Sequence, residues 1–485
     1  MADRTNASIR VRGDLAFALA CAVVYAAVVL ATPPYIALEE PDTLSYLTFE
    51  PMRTMFYPIF LRWWMTLGLD FIRITWIQLA IFSGALVYFL LVLLRSGFPR
   101  LLLAILVMAM AGNVLFSSFH RSILSESLYF SLTLIVVAMW IDYLRTGRLP
   151  RLLWAGLALG MMTGLRLAGL SLLPFHVLTI WLKRPNHVSP WVAVVLALLP
   201  VGLTVGVERA LYYVVHRNFE TSQTANLLMG KAAMLVRPDM TFTGPHAQTL
   251  QAFAAELYTI YEPARRALAA SPSLGVRAQL AANYEGQAQF SILARELTAA
   301  AEREHTSVAT LRSELGKQVI AQNLSGYLAL VALHDFGQWS VAAQNFPPIA
   351  RALAAYADAN PAVSFDGRLP RDLLHPRPTA VGLVVYPAFL AAGAVTLVLA
   401  VGFLYFLARP ASAASPIGYY MLLATFFSAM CHGYTLFIAI VNIWTPRFLM
   451  AVFPQIEIIA LCLILVAWRL LRKGTVADAT PLRTA

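Results

Sequence analysis

Charged side chains are scarce in this chain. Asp, Glu, Lys and Arg make up 13% of its 485 residues, about half the share typical of soluble domains. That shortage, beside 59% hydrophobic residues, excludes an ordinary water-soluble fold and makes lipid the main solvent. Cysteine is rarer still. Cys21, Cys431 and Cys462 all fall inside apolar runs, which argues against a disulfide framework. Internal repeats of transporter type are absent. The net charge of +11 does not indicate nucleic acid, because the basic residues sit in short loops between apolar runs. The first apolar run, 15–31, follows Arg4, Arg10 and Arg12 in the manner of a signal peptide. No Ala-x-Ala cleavage site stands at its end, where it runs into Thr32-Pro33-Pro34, so it reads as an uncleaved first helix.

A spanning helix needs about 20 apolar residues. The stretches 14–32, 73–94, 101–118, 122–143, 151–166, 168–183, 189–213, 380–408, 416–441 and 448–471 meet or approach that length. They predict an all-α polytopic membrane protein with about ten transmembrane helices. Arg95, Arg100, Arg145, Arg148, Arg151, Lys183, Arg184, Arg409, Arg469, Arg472 and Lys473 fall in alternate loops. By the positive-inside rule those loops are cytoplasmic, with both termini inside. The expected organisation is a transmembrane module over 1–213 with an outer loop at 33–72, a helical extracytoplasmic domain over 214–379, and late helices with a cytoplasmic tail over 380–485. The middle segment is too long for a connecting loop. Leu311, Leu315, Val319 and Leu324 recur in it at helical spacing, and Phe346-Pro347-Pro348 and His375-Pro376-Arg377-Pro378 punctuate its end.

The first outer loop carries Glu39-Glu40-Pro41-Asp42-Thr43-Leu44-Ser45-Tyr46, then Arg53 and Tyr57-Pro58. Three carboxylates beside a membrane must be solvated or used. They could hold a divalent cation, Mg or Mn, through Asp42 and Glu40. One could act as a general base toward an acceptor hydroxyl. They could also form an ordinary hydrated loop. Trp63, Trp64 and Trp76 follow and read as an interfacial aromatic belt, with a short surface helix at 54–69. Arg53, Arg121, Arg166 and Arg447 lie on the outer side in this topology, where the inside-positive bias does not explain them. Cations at membrane depth are costly and tend to be functional; the alternatives are snorkelling or pairing with a neighbouring Glu.

The Asp-x-x-x-Tyr pattern from Asp42 to Tyr46, followed by Arg53 and Tyr57-Pro58 ahead of Ile59-Phe60-Leu61, resembles the bacterial GT-C superfamily of membrane glycosyltransferases. The resemblance continues in His120-Arg121-Ser122-Ile123-Leu124-Ser125-Glu126, in Gly164-Leu165-Arg166-Leu167-Ala168-Gly169, in 315–339 with Asn323, Tyr327 and His334, and in Thr445-Pro446-Arg447-Phe448. It departs from the family where Phe448 replaces Tyr, where Leu167 replaces Pro, and where Glu39-Glu40-Pro41-Asp42 stands for a simple Asp-Glu pair. The resemblance implies an inverting glycosyltransferase of the bacterial inner membrane, with its active site on the extracytoplasmic face. Such an enzyme takes its sugar from a polyprenyl-phosphate donor and passes it to a lipid, glycan or protein acceptor. Asp42, with Glu40 or Glu39, is then the catalytic candidate. Arg447, Arg166, Arg121, Arg53, His120 and His334 are candidates for the donor phosphate, which arginine binds bidentately, and Tyr46, Tyr57 and Glu126 are supporting groups. The competing expectations are a transporter or flippase of lipid-linked sugars, and a membrane scaffold.

Overall fold

In lipid, every backbone N–H and C=O must be satisfied within its own segment, so long apolar runs become helices. The structure, a computed structural model, describes residues 2–32, 36–185, 187–219, 222–271, 273–290, 294–341, 343–359 and 380–473. Among these, all regular elements are helical; a single parallel β-bridge joins Leu38 to Ser122. Seven helices among the described residues are long and apolar enough to cross a bilayer, so the chain is a polytopic helical membrane protein. The other three expected spans correspond to shorter apolar helices at Arg100–Gly112, Leu149–Leu165 and Leu167–Leu182. The cluster His375-Pro376-Arg377-Pro378 lies outside the described residues.

The chain forms two compact units. The first comprises 1–219, 396–434 and 450–485. It contains α1 (Ala2–Ala31), α2 (Thr43–Leu47), α3 (Phe56–Thr66), α4 (Phe71–Arg95), α5 (Arg100–Gly112), α6 (Val114–Ser118), α7 (Glu126–Thr146), α8 (Leu149–Leu165), α9 (Leu173–Leu182) and α10 (Pro190–His216). Helix ends follow local chemistry. Asp70 caps α4 by accepting from the Arg73 N–H at 2.9 Å. Asn113 caps α6 by accepting from the Phe116 N–H at 3.1 Å, which breaks the expected span 101–118. Gly147, at φ +67°, ends α7. The expected span 122–143 begins only at Glu126, because Arg121 and Ile123 give backbone groups to Leu38 instead of to a helix. The Leu38 N–H donates to the Arg121 carbonyl at 2.8 Å, and the Ile123 N–H donates to the Leu38 carbonyl at 3.0 Å.

Helix α8 packs closely against α10 through glycine. A Cβ at Gly156 would stand 2.4 Å from the Ala197 carbonyl oxygen, and one at Gly160 would stand 2.7 Å from Thr204 Cβ. Small residues at such a contact let two backbones approach, which drives helix association in membranes. Buried Asp142 on α7 accepts from Arg145 at 2.8 Å and from Arg151 on α8 at 2.7 Å. This pairing ties the helices together at the expected cytoplasmic end.

The second unit comprises 220–395 and 435–449. It holds α11 (Ser222–Leu235), α12 (Ala247–Ile260), α13 (Glu262–Ala270), α14 (Leu274–Phe290), α15 (Ala294–Arg303), α16 (Val308–Gln322), α17 (Leu324–Trp339) and α18 (Pro347–Ala359). Its core includes Met229, Leu257, Tyr284, Leu311, Leu315 and Val319. Leu324, expected in the same apolar row as the last three, is exposed. Asn323 starts a new helix there by accepting from the Gly326 N–H at 3.2 Å, so the 3.6-residue register does not carry through. The chain passes between the units within α19 (Ala380–Ala408) and α20 (Pro416–Val441), and ends in α21 (Pro446–Met450) and α22 (Phe453–Lys473).

Replacing Gly160 by Leu will force α8 from α10 and destabilise the protein by about 1–3 kcal/mol, read as a lower melting temperature in detergent. Gly84→Ala, where an added Cβ meets nothing within 4 Å, will leave the melting temperature nearly unchanged. Equal effects of the two substitutions would refute the packing argument.

Candidate functional site

The first unit brings five residues singled out by sequence into one connected network. Asp42 precedes α2, and Arg53 Nη2 donates to Asp42 Oδ1 at 2.6 Å. Arg53 Nε donates to Ser45 Oγ at 2.7 Å, and its guanidinium lies 4.6 Å from the centre of the Tyr46 ring. The Tyr46 and Ser125 hydroxyls are 3.2 Å apart. Arg166 Nη1 donates to Ser125 Oγ at 3.4 Å and pairs with Glu126 Oε1 at 2.5 Å. Asp42, Arg53, Tyr46, Arg166 and Glu126 are therefore linked through Ser125.

Local structure explains why these groups converge. Glu126 is the first residue of α7, where a carboxylate is favoured by the helix dipole. Arg166 follows the last residue of α8 in an extended conformation, with φ −156° and ψ 130°. That conformation turns the chain out of the expected run 151–166 and aims the guanidinium at α7. The loop before α3 is clamped to three other segments: Thr54 Oγ1 donates to the Leu165 carbonyl at 2.8 Å, the Met55 N–H donates to Glu208 Oε1 at 3.0 Å, and the Tyr212 hydroxyl donates to the Pro51 carbonyl at 2.9 Å.

The remaining first-unit candidates have other surroundings. Glu40 Oε1 accepts from Ser122 Oγ at 3.2 Å, and Glu39 is exposed. Tyr57 is buried; its hydroxyl donates to Gln78 Oε1 at 2.9 Å and its ring meets Tyr46 edge-on at 4.9 Å. Arg121 is buried and donates to the Thr32 carbonyl at 3.2 Å, satisfying a group just past the end of α1. His120 is buried between the Tyr25 hydroxyl and Ser127 Oγ, each at 2.8 Å. Burial pushes its imidazole down to about 3, so it is neutral near pH 7. Among the described residues no three His, Cys, Asp or Glu side chains gather as a metal-ligand set. Asp42 faces Arg53, and Glu40 faces Ser122.

Beside the network lies a cavity of about 590 Å³. Phe56, Phe60, Trp63 and Trp64 from α3 line it, with Leu128 from α7 and Leu165 from α8 among the opposing apolar residues. Leu165 immediately precedes Arg166, and Leu128 stands two residues after Glu126. A partly open apolar volume is thus joined through Leu165 and Leu128 to the segments that carry the paired charges. Gly164 fixes the wall, since a Cβ there would stand 2.4 Å from the Phe56 ring.

No protein-family model, curated protein or solved structure matches the chain.

His334 and Arg447 belong to the second unit. Arg447 lies in α21 with its guanidinium 5.5 Å from the centre of the Phe448 ring. His334 is fully buried in a triad with Lys231 and Glu285. Lys231 Nζ donates to Glu285 Oε1 at 2.9 Å, to Oε2 at 3.2 Å and to the Asn442 carbonyl at 3.1 Å. His334 Nε2 donates to Glu285 Oε2 at 2.7 Å. Burial opposes the Glu285 charge, but Lys231 and His334 outweigh it and hold the carboxyl below the usual range. Nothing in the sequence marks Lys231, Ser125, Glu208 or Glu285 as a site residue by spacing. Glu208-Arg209 inside an apolar run was a usable signal. Glu285 sits in a stretch rich in Ala and Gln, where nothing sets it apart.

Lys231→Met leaves Glu285 buried without its ammonium partner and will cost about 3–5 kcal/mol, measured by thermal unfolding; adding Glu285→Gln will recover much of the loss. His120 supplies a pH signature. The unfolded imidazole titrates near 6.5 and the folded one at about 3, so between those values the unfolded chain binds the extra proton and stability falls as pH falls. The gap in melting temperature between wild type and His120→Gln will narrow from about pH 7 to about pH 4; a constant gap would contradict a neutral, buried His120.

Proposed function

We propose that this chain is an inverting glycosyltransferase that moves a sugar from a polyprenyl-phosphate donor to a lipid, glycan or protein acceptor. In this reading about ten helices cross the bacterial inner membrane with both termini inside, and the reaction takes place on the extracytoplasmic face. The observation that carries the proposal is the network from Asp42 through Arg53, Tyr46 and Ser125 to Arg166 and Glu126, set against an apolar cavity of about 590 Å³. A lipid-linked sugar phosphate needs both halves, an apolar channel for its chain and guanidinium forks for its phosphate.

The chemistry assigns each group a task. The acceptor oxygen attacks the anomeric carbon while the bond from that carbon to the phosphate oxygen breaks. Asp42, oriented by Arg53, takes the hydroxyl proton, and the electron pair of the broken bond leaves on the phosphate. Arg166 meets that growing charge. A guanidinium fork accepts carboxylate and phosphate in the same geometry, so the phosphate competes with Glu126 for Arg166. Glu126 thereby keeps the fork aligned when no donor is bound. Arg447, which belongs to the second unit, is read from its motif as a further phosphate-binding candidate.

Purified protein supplied with radiolabelled polyprenyl-phosphate sugars and membrane extract will label an acceptor. Asp42→Asn will lower the rate by about 10²–10⁴-fold, the range for loss of a general base, while the protein keeps a cooperative melting transition. A transporter would move the carrier without labelling any acceptor, and a scaffold would be indifferent to Asp42→Asn. Either result, or transfer that survives the substitution, would refute the proposal.

A further inference from the structure

The buried triad of the second unit does more than pair a lysine. It grips the strap that runs from the end of α20 to Arg447. Lys231 Nζ holds the Asn442 carbonyl at 3.1 Å. The Trp444 N–H donates to His334 Nδ1 at 3.5 Å, and Trp444 Nε1 donates to the Ala278 carbonyl at 2.8 Å. Upstream, the Tyr327 hydroxyl donates to the Ile440 carbonyl at 2.9 Å. A Cβ on Gly337 would stand 2.4 Å from the Trp444 ring, so the strap lies directly against α17.

The two nitrogens of His334 face opposite demands. The Glu285 carboxylate can only accept, so Nε2 carries a hydrogen. The backbone N–H of Trp444 can only donate, so Nδ1 must be bare. Neutral imidazole in that one tautomer satisfies both. A second proton would set Nδ1–H against the Trp444 N–H and break the bond to the strap. It would also add a second cation beside Lys231, against the single carboxylate of Glu285.

We propose that Lys231, Glu285 and His334 form an acid-sensitive latch that positions the strap 442–447, and with it Arg447. The significance for glycosyl transfer rests on reading Arg447 as a phosphate-binding group; the latch itself does not depend on that reading. Burial, with Lys231 adding to it, lowers the His334 imidazole from its ordinary range, so the closed strap disfavours the second proton. The titratable groups around His334 are Lys231 on α11, Glu285 on α14, Tyr327 and Asp335 on α17, and Tyr261 between α12 and α13. Tyr261 and Tyr327 interact with Glu285, and Asp335 bonds to Thr435. Only His334 has an ordinary titration range near neutrality. As the pH falls below that range, one proton linked to opening shifts the balance toward the open strap by at most about tenfold per pH unit.

Hydrogen–deuterium exchange of the full-length protein in detergent, read by mass spectrometry from about pH 7.5 to about pH 5 and corrected for intrinsic exchange, tests the latch. Protection of 442–447 will fall by up to about tenfold per pH unit and recover on neutralisation, while 311–319 in the core stays protected. His334→Gln will abolish the pH step, and Lys231→Met will leave the strap open at every pH. Flat protection of 442–447 in the wild type would overturn the proposal. So would loss in step with 311–319, or a pH step that survives His334→Gln. No substrate enters the measurement, so failure of the latch and failure of glycosyl transfer are separate results.

Discussion

A charge removed from water must find an opposite charge or a set of hydrogen bonds, or its desolvation cost of several kcal/mol goes unmet. That constraint shapes both units of this protein. Asp42 meets Arg53, Glu126 meets Arg166, Asp142 meets Arg145 and Arg151, and Lys231 meets Glu285 with His334. In a chain with so few charges, two of these pairs serve as fixed points between helices distant in sequence, Glu126 of α7 with Arg166 beyond α8 and Lys231 of α11 with Glu285 of α14. Such pairs hold helices that apolar packing alone would leave free to slide, because lipid is as good a neighbour for leucine as another helix is.

The pairs of the first unit have a second property. Glu126 is almost wholly buried, whereas Arg166 and Arg53 retain 16% and 13% side-chain exposure. Arg166 is therefore held from behind by its carboxylate, whereas in the other pair Asp42, at 29%, is the more exposed partner. Apolar residues of α3, α7 and α8 line a partly open volume whose walls include Leu165, the neighbour of Arg166. The proposed ligand, an anionic head on an apolar chain, would use both features, whereas a free sugar would leave the cavity empty and a neutral lipid would leave the charges to their internal partners. The clamps on the loop before α3, at Leu165, Glu208 and Tyr212, keep the two parts in register.

Much of the helix plan was legible because hydropathy reports it directly. Most expected spans lie within a few residues of a helix. Departures cluster where the backbone has another partner. Arg121 and Ile123 pair with Leu38, so α7 starts late, and Arg166 adopts an extended conformation, so 151–183 bends where hydropathy alone shows two short runs. The candidate site was legible in part. Asp42, Tyr46, Arg53, Glu126 and Arg166 were visible as charges or motif residues at helix ends. Ser125, which joins them, was not, since one serine carries no pattern. His120 and Arg121 stood out equally in sequence, yet both are committed to internal hydrogen bonds. Sequence marks a residue as costly to bury but does not say which local partner meets the cost.

The central claim is that the Arg166 cluster and the apolar cavity together hold an anionic lipid. Quenching of tryptophan fluorescence on titrating polyprenyl phosphate into nanodisc-embedded protein tests this directly, because Trp63 and Trp64 line the cavity. Saturable quenching should appear with polyprenyl phosphate and weaken about tenfold or more in Arg166→Gln, in keeping with loss of a charged hydrogen bond of about 1.5–3 kcal/mol. The uncharged polyprenol should bind weakly and equally to both proteins. Equal binding of phosphate and alcohol, or phosphate binding unaffected by Arg166→Gln, would contradict the account.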